Sequence, residues 1–277
     1  MVDRYGVFGH PIGHSKSPAI HRRFAEQTGQ SLEYLPYDVA AERFEAALAQ
    51  FLVAGGKGLN CTVPLKELAF RAASRLSERA RRAGAVNTLA LQPDGVLYGD
   101  NTDGIGLLRD LSDNLGLTLA HRAILVLGAG GAVRGILQPL LGERPSRLLI
   151  ANRTAQRAAQ LAAEFADLGA VGVCGYDGLA GTGGFDLILN ATAASLSGDL
   201  PPLPEQLLAP GGACYDLAYG SEPTPFVHWG REHGAAISVD GIGMLVEQAA
   251  EAFALWRGVR PLTTAVIGAL TADRGER

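Results

Sequence analysis

Apolar positions along this chain fall into two registers. Short unbroken runs such as Ile124-Leu125-Val126-Leu127, Leu148-Leu149-Ile150-Ala151 and Leu187-Ile188-Leu189 predict strands buried on both faces, as in a parallel sheet. Further strands are expected over 5–9, 34–39, 58–63, 84–91, 96–99, 212–217 and 235–239. The turn Pro93-Asp94-Gly95 joins two of them as a hairpin. Between the strands the spacing changes to that of helices. Phe44, Leu48, Phe51 and Leu52 share one face of a helix over 41–54, which Gly55-Gly56 closes. Helices are also expected over 18–25 and 105–115. A long one over 244–256 carries the stripe Leu245, Ala249, Phe253 and Trp256. Strands alternating with helices predict an α/β protein, whose ligands gather beyond the carboxyl ends of the strands.

The run 124–127 leads straight into Gly128-Ala129-Gly130-Gly131-Ala132. A buried strand, a glycine turn and a helix start form a cradle for a dinucleotide pyrophosphate. Gly128 permits the turn, Gly130 admits the phosphates, and the helix N-terminus offers N–H groups. Val133 stands at the third glycine position of that fingerprint. The next strand, 147–151, ends in Asn152-Arg153-Thr154, with Arg157 one helical turn beyond Arg153. An NAD site places an acid there for the ribose hydroxyl. Two guanidiniums in its place suit a 2′-phosphate, hence NADP.

Composition narrows the class. A chain of 277 residues with 47% hydrophobic and 19% charged residues suits one large or two medium globular domains. No apolar run is long enough to span a bilayer, and residues 1–6 show no signal-peptide pattern. Cys61, Cys174 and Cys214 lie far apart without Cys-x-x-Cys spacing, so reduced thiols and a cytoplasmic location are expected. His10 and His14, separated by Pro11 and Gly13, lack a third ligand, and no metal site is expected. A net charge of −4 offers no general attraction to nucleic acid or acidic membranes.

The first hundred residues hold the candidate chemistry. In Ser15-Lys16-Ser17-Pro18, Pro18 fits the first helical turn and Ser17 an N-cap, while two hydroxyls at a helix start suit a small carboxylate. Asn60, Thr62 and Lys66 fall together at one strand end. Lys66 would open a helix, where the dipole disfavours a cation and eases proton loss, making it a plausible acid–base group. Asp103 could serve as an N-cap, or its carboxylate could face Lys66 across a substrate hydroxyl.

In ordered motifs along nearly its whole length the chain resembles the shikimate dehydrogenase family. These are Ser15-Lys16-Ser17-Pro18, Asn60-Cys61-Thr62-Val63-Pro64-Leu65-Lys66, Gly84-Ala85-Val86-Asn87-Thr88 and Asn101-Thr102-Asp103-Gly104. The glycine turn, Asn152-Arg153-Thr154, Asn190-Ala191-Thr192, Tyr215-Asp216-Leu217-Ala218-Tyr219 and Asp240-Gly241-Ile242-Gly243-Met244-Leu245-Val246-Glu247-Gln248 follow. The resemblance implies NADPH-dependent reduction of 3-dehydroshikimate to shikimate, a step of chorismate and aromatic amino-acid biosynthesis. It implies that Lys66 and Asp103 form the catalytic pair and that Ser15 and Ser17 hold the ring carboxylate. Asn60, Thr62, Asn87, Asp103 and Gln248 would bind ring hydroxyls, with Tyr219 close by. The cofactor set comprises Gly128, Ala129, Gly130, Gly131, Ala132, Asn152, Arg153, Thr154 and Arg157, joined by Glu78, Leu217 and Gly241. Cys61 replaces a common valine, and Val133 a small residue.

The expected architecture is a substrate domain over 1–104, completed by 244–277, and a Rossmann-type doubly wound NADP domain over 105–243. The last long helix would return to the first domain and leave the active site in the cleft between them. The expected partner is a small-molecule substrate, with the protein a monomer or homodimer. The alternatives are a quinate/shikimate paralogue, distinguished by activity with quinate and NAD, and a non-catalytic NADP-binding regulator, which would need neither Lys66 nor Asp103.

Overall fold

A computed structural model describes residues 2–272 of the chain, which divide into two compact units. The first comprises residues 2–106 and 245–269, the second 107–244 and 270–272. The chain thus leaves the first unit slightly later than the pattern suggested, and residues 270–272 group with the second.

The first unit begins with β1 (Asp3–Gly9), α1 (Ser17–Thr28), β2 (Leu32–Asp38), α2 (Phe44–Val53) and β3 (Gly56–Cys61). It continues with α3 (Lys66–Ala72), β4 (Arg75–Leu76), α4 (Glu78–Ala83), β5 (Thr88–Leu91), β6 (Leu97–Asp100) and the start of α5 (Asp103–Arg109). Its sheet runs in the order β2-β1-β3-β5-β6-β4. The β-α-β-α-β start makes β1 parallel to β2 and β3, while the hairpin turns β5 and β6 antiparallel, so the sheet is mixed. Register sets Asn60 opposite Thr88, and Thr88 opposite Asp100, in one row across three strands. Phe8, Phe44, Phe51, Leu59, Leu65, Val86 and Leu89 fill the core beneath this row.

The second unit comprises β7 (Ala123–Leu127), α6 (Gly131–Gly142), β8 (Arg147–Ala151), α7 (Ala155–Glu164), β9 (Gly172–Cys174) and β10 (Phe185–Asn190). It continues with β11 (Leu208–Asp216), α8 (Pro225–Glu232) and β12 (Ile237–Val239). All pairs in the order β12-β11-β10-β7-β8-β9 are parallel. The winding direction reverses between β7 and β10, the switch point where doubly wound sheets bind ligands. Helix α9 (Ile242–Arg257) starts in the second unit and continues in the first, and α10 (Thr264–Ala272) follows. On α9 the buried apolar side chains are Ile242, Val246, Ala249, Ala250, Ala252 and Phe253; Leu245 and Trp256 are only half-buried, so the apolar face is wider than the stripe predicted.

Three local expectations are corrected. The strand placed over 84–91 starts only at Thr88, because Gly84 is the left-handed C-cap of α4, with φ 60°. The helix over 105–115 breaks into a π turn at Asp110–Asn114, where the Asp110 carboxylate accepts from Tyr215 Oη at 2.7 Å and from Asn114 Nδ2 at 3.0 Å. At the start of α1 it is Ser15 rather than Ser17 that satisfies a helical N–H, its Oγ accepting from Ser17 N at 3.3 Å.

Candidate active site

The carboxyl end of β3 turns through Thr62-Val63-Pro64 into α3, whose first residue is Lys66. In this sheet β6 ends at Asp100, and three residues later Asp103 opens α5, its N–H donating to Asn101 Oδ1 at 3.2 Å. The two ends converge: Lys66 Nζ donates to Asp103 Oδ2 at 2.6 Å. The lysine side chain is 30% exposed and the aspartate 15%, so a small ligand can reach the pair while bulk water is largely kept off it. Asn87 Nδ2 donates to the other carboxylate oxygen, Asp103 Oδ1, at 2.8 Å, and also to Thr102 Oγ1 at 2.9 Å. Its weaker donation to Gln248 Oε1 at 3.3 Å brings α9 into the cluster.

Asn60 lies one layer deeper. Its Nδ2 donates to Asn87 O at 3.1 Å and Thr88 Oγ1 at 3.0 Å, and its Oδ1 accepts from Tyr34 Oη at 2.7 Å. Both Asn60 N–H groups therefore have protein acceptors, leaving the amide oxygen as its remaining capacity for a ligand. Burial pushes the Tyr34 hydroxyl well above the usual tyrosine range, with Ser17 partly opposing the shift, so Tyr34 is a neutral donor. The turn that presents Asp103 is held from behind. Arg79 Nε and Nη2 grip Asp100 Oδ1 and Oδ2 at 2.7 and 2.6 Å, and Ser77 Oγ donates to Oδ1 at 2.6 Å. Burial tends to raise the Asp100 carboxyl, but Arg79 and Ser77 outweigh it and hold the group below its ordinary value.

In the second unit, Gly128 has φ +108°, and a Cβ there would lie 3.0 Å from Ala191 O. Gly130, Gly131 and Ala132 are exposed at the N-terminus of α6, and the space beside both glycines is open. Val133 instead turns inward and is fully buried in the core, so its side chain does not crowd this turn. Beyond β8, Arg153 and Arg157 are exposed, and their guanidiniums make no ion pair or hydrogen bond to other described residues. Asn152 Nδ2 donates to Thr154 O at 2.9 Å and shapes the turn that presents them. A helix N-terminus with open approach beside two unengaged guanidiniums fits a pyrophosphate and a further phosphate. The buried carboxylate of Asp216 ties the adjoining loops together, accepting from Ser195 Oγ at 2.5 Å, Thr224 Oγ1 at 2.7 Å and Ala218 N at 3.0 Å.

Comparison with known proteins matches this arrangement to three family models. Residues 7–89 match the shikimate dehydrogenase substrate binding domain, 110–197 shikimate / quinate 5-dehydrogenase, and 241–271 the shikimate 5′-dehydrogenase C-terminal domain. A shikimate dehydrogenase (NADP(+)) of Methylococcus capsulatus is 66% identical over 98% of this chain and 97% of its own. The chain belongs to the shikimate dehydrogenase family. Another relative, shikimate dehydrogenase (NADP(+)) of Alkalilimnicola ehrlichii, is 58% identical over 99% of this chain and all (100%) of its own. The solved structure of shikimate 5-dehydrogenase from Thermus thermophilus, in complex with NADP(H) and shikimate, superposes with a TM-score of 0.86. It is 35% identical over 99% of this chain and 100% of that one.

Against the residues that the family resemblance nominated, the structure brings Lys66, Asp103, Asn87 and Gln248 into one bonded cluster, with Asn60 behind it. Ser17 lies beside Tyr34 and partly opposes the rise of its hydroxyl, whereas Ser15 Oγ accepts the N–H of Ser17. Thr62 lies at the end of β3 with no side-chain hydrogen bond to other described residues. Tyr219 falls in the second unit, its hydroxyl raised by burial and by the Asp240 carboxylate. Glu78 is an exposed first-turn residue of α4 in the first unit. Leu217 and Gly241 pack together in the second, where a Cβ on Gly241 would come within 2.4 Å of Leu217 O. The family's motifs contain Thr102 and Thr88, yet the sequence pattern assigns neither a role. Tyr34 and Arg79 escape it too, since only tertiary contacts single them out.

Proposed function

We propose that this chain catalyses the reversible NADPH-dependent reduction of 3-dehydroshikimate to shikimate, with Lys66 and Asp103 as its acid–base pair. The observation that carries the reading is the 2.6 Å contact between Lys66 and Asp103, half-sheltered at the carboxyl ends of the strands, in a member of this family. Bound NADPH supplies the hydride. As the ketone is reduced, negative charge gathers on its oxygen, and the Lys66 ammonium meets that charge and gives up the proton. Asp103 keeps the lysine aligned and accepts from a neighbouring ring hydroxyl. Thr62, Asn87 and Gln248 fix the ring, and Ser15 and Ser17 at the start of α1 take its carboxylate, so that orientation carries part of the rate.

On the cofactor side, Gly128–Ala132 and the α6 N-terminus take the pyrophosphate, and Arg153 with Arg157 takes the 2′-phosphate. Cys61, Cys174 and Cys214 are all free thiols, in keeping with a reducing, cytoplasmic setting, and no helix among the described residues is long and apolar enough to cross a membrane. The pathway position is the one the substrate defines, in aromatic amino-acid biosynthesis.

Lys66→Ala is the decisive variant. Turnover of shikimate with NADP⁺ should fall by roughly 10²- to 10⁴-fold, the range for removing an acid–base group. NADPH binding, followed by cofactor fluorescence, should stay at the wild-type value. Near-normal turnover would sink the assignment, and a preference for quinate over shikimate would overturn the substrate.

A further inference from the structure

Behind the catalytic pair runs a line of hydrogen bonds that all point one way. Tyr34 Oη donates to Asn60 Oδ1 at 2.7 Å, Asn60 Nδ2 to Thr88 Oγ1 at 3.0 Å, and Thr88 Oγ1 to Asn87 Oδ1 at 2.9 Å. Asn87 Nδ2 then donates to Asp103 Oδ1 at 2.8 Å. Backbone groups fix the direction at both amides, independently of how an amide is drawn. Asn60 Nδ2 also meets the carbonyl of Asn87 at 3.1 Å, which can only accept, so this end of the amide is the donor. Asn87 Oδ1 receives the N–H of Thr102 at 2.9 Å, which can only donate, so the other end of Asn87 must face Asp103. With both amides fixed, Tyr34 Oη donates to Asn60, and Thr88 Oγ1 accepts from Asn60 while its own O–H meets Asn87 Oδ1 at 2.9 Å, nearer than Thr102 Oγ1 at 3.4 Å. The line ends on a carboxylate whose second oxygen is held by Lys66.

Thr88 is fully buried and Tyr34 is 7% exposed. We infer that Tyr34 and Thr88 are positioning residues of the reaction, forming a head-to-tail relay that fixes Asn87 as a donor on Asp103 and so sets how strongly that carboxylate holds Lys66. Each donor in such a line is polarised by the one before it, and the accumulated polarisation falls on the terminal charge. The inference rests on the Lys66–Asp103 reading and extends it to residues that need not touch substrate.

The surroundings leave the contact between Asp103 and Lys66 as the one the relay acts on. Among the described residues its one charged contact is Lys66 on α3. Asp100 at the end of β6 is turned to Arg79, while Glu247 and Glu251 of α9 are turned to Arg260, with Glu251 also meeting Arg79. His21 of α1 stacks on Tyr34 at 4.1 Å between ring centroids, and burial pushes it down to about 3, so it is neutral in the working range. Burial pushes the Cys61 thiol, near Lys66, up to about 12.

The test is the pH profile of kcat/KM for shikimate oxidation in Thr88→Val, Thr88→Ser and Tyr34→Phe, with Lys66→Ala measured in parallel. Breaking the relay takes a polarised donor from Asp103, whose carboxylate then holds the Lys66 ammonium more tightly, so the acid limb of the profile, where the proton acceptor is lost, should move to higher pH. A shift of about half a pH unit is expected for Thr88→Val, from a change of roughly 10–30% in a charge-assisted bond. Tyr34→Phe, further along the line, should move the limb less but in the same sense, and Thr88→Ser should return it to the wild-type position. A merely structural loss would lower activity at every pH without moving the limb. If the Thr88→Val limb stays within about 0.2 unit of wild type, or Thr88→Ser moves as far as Thr88→Val, the relay is refuted. Should Thr88→Val fail to fold, Tyr34→Phe decides alone, an unmoved limb refuting the relay. Near-normal turnover in Lys66→Ala would instead bring down the catalytic assignment beneath it.

Discussion

Removing the Arg153 guanidinium tests how the second unit distinguishes two cofactors that differ by one phosphate. In the folded protein Arg153 is exposed at the end of β8, close enough to Tyr176 to oppose the burial that raises that phenol. It forms no ion pair with other described residues, so Arg153→Ala forfeits no folded-state partner, and its thermal midpoint should match wild type within a degree or two. A charge-assisted hydrogen bond to a phosphate is worth about 1.5–3 kcal/mol when shielded. Exposure at this rim reduces that to roughly 1–2 kcal/mol, which at about 1.4 kcal/mol per decade raises the KM for NADP⁺ about 5- to 30-fold. Arg157 lies one turn along α7, and the double variant should lose more than either single one, though less than their product, because both guanidiniums face one dianion. Initial rates at saturating shikimate, followed by absorbance of the reduced nicotinamide, give both constants. The KM for NAD⁺ should hardly change in Arg153→Ala, and added salt should weaken NADP⁺ binding to wild type more than to the variant. A variant that lost NAD⁺ and NADP⁺ in equal proportion would refute the idea that this guanidinium reads the 2′-phosphate.

Two further outcomes concern packing and protonation. His21 is 1% exposed and its folded-state pKa lies at about 3, below the ordinary value near 6.5. The unfolded chain therefore binds the extra proton first, and this residue subtracts stability as pH falls from about 6.5 towards 3, at up to about 1.4 kcal/mol per pH unit. Urea denaturation of His21→Phe across that window should show a shallower acid slope than wild type; parallel slopes would place the acid sensitivity elsewhere. Gly241→Ala would drive a Cβ to 2.4 Å from the Leu217 carbonyl, backbone against backbone. It should cost about 1–3 kcal/mol of stability and raise the KM for NADP⁺ more than that for shikimate, whereas an unchanged melting curve would show that the loop yields freely.

What can be read in the chain follows from which residues carry their own constraint. The strands at Arg147–Ala151 and Phe185–Asn190 enclose the apolar runs 148–151 and 187–189 and outrun them by no more than two residues at either end, because a strand covered on both faces keeps its central positions apolar. Pattern alone overruns the strand at Thr88 towards Gly84, because a glycine reads alike as a strand edge and as a helix C-cap until φ is known. It also carries the helix after Asp103 straight through Asp110, since the break there depends on Tyr215, 105 residues away along the chain. Sequence pattern brings Lys66 and Asp103 to strand ends but leaves open whether the aspartate caps its helix or faces the lysine. The fold provides both: Asn101 satisfies the α5 N–H, which frees the Asp103 carboxylate for Lys66.

That division of labour explains why the supporting residues are harder to find than the pair itself. Lys66 and Asp103 are reactive types in suggestive places, and a sequence announces them. Arg79 lies on α4 as one of several arginines, and only the closing of α4 on the end of β6 makes it the clamp on Asp100. Thr88 is an ordinary β-branched strand residue until register sets it opposite Asn60 on one side and Asp100 on the other. Its hydroxyl must then find partners in a fully buried position, and the partners within reach are the two amides of the site. The requirement that buried polar groups be bonded thus converts a packing register into an orientation of Asn87, and Asn87 into a donor on Asp103. The geometry of the candidate site is specified by the sheet, through groups that carry no chemistry of their own.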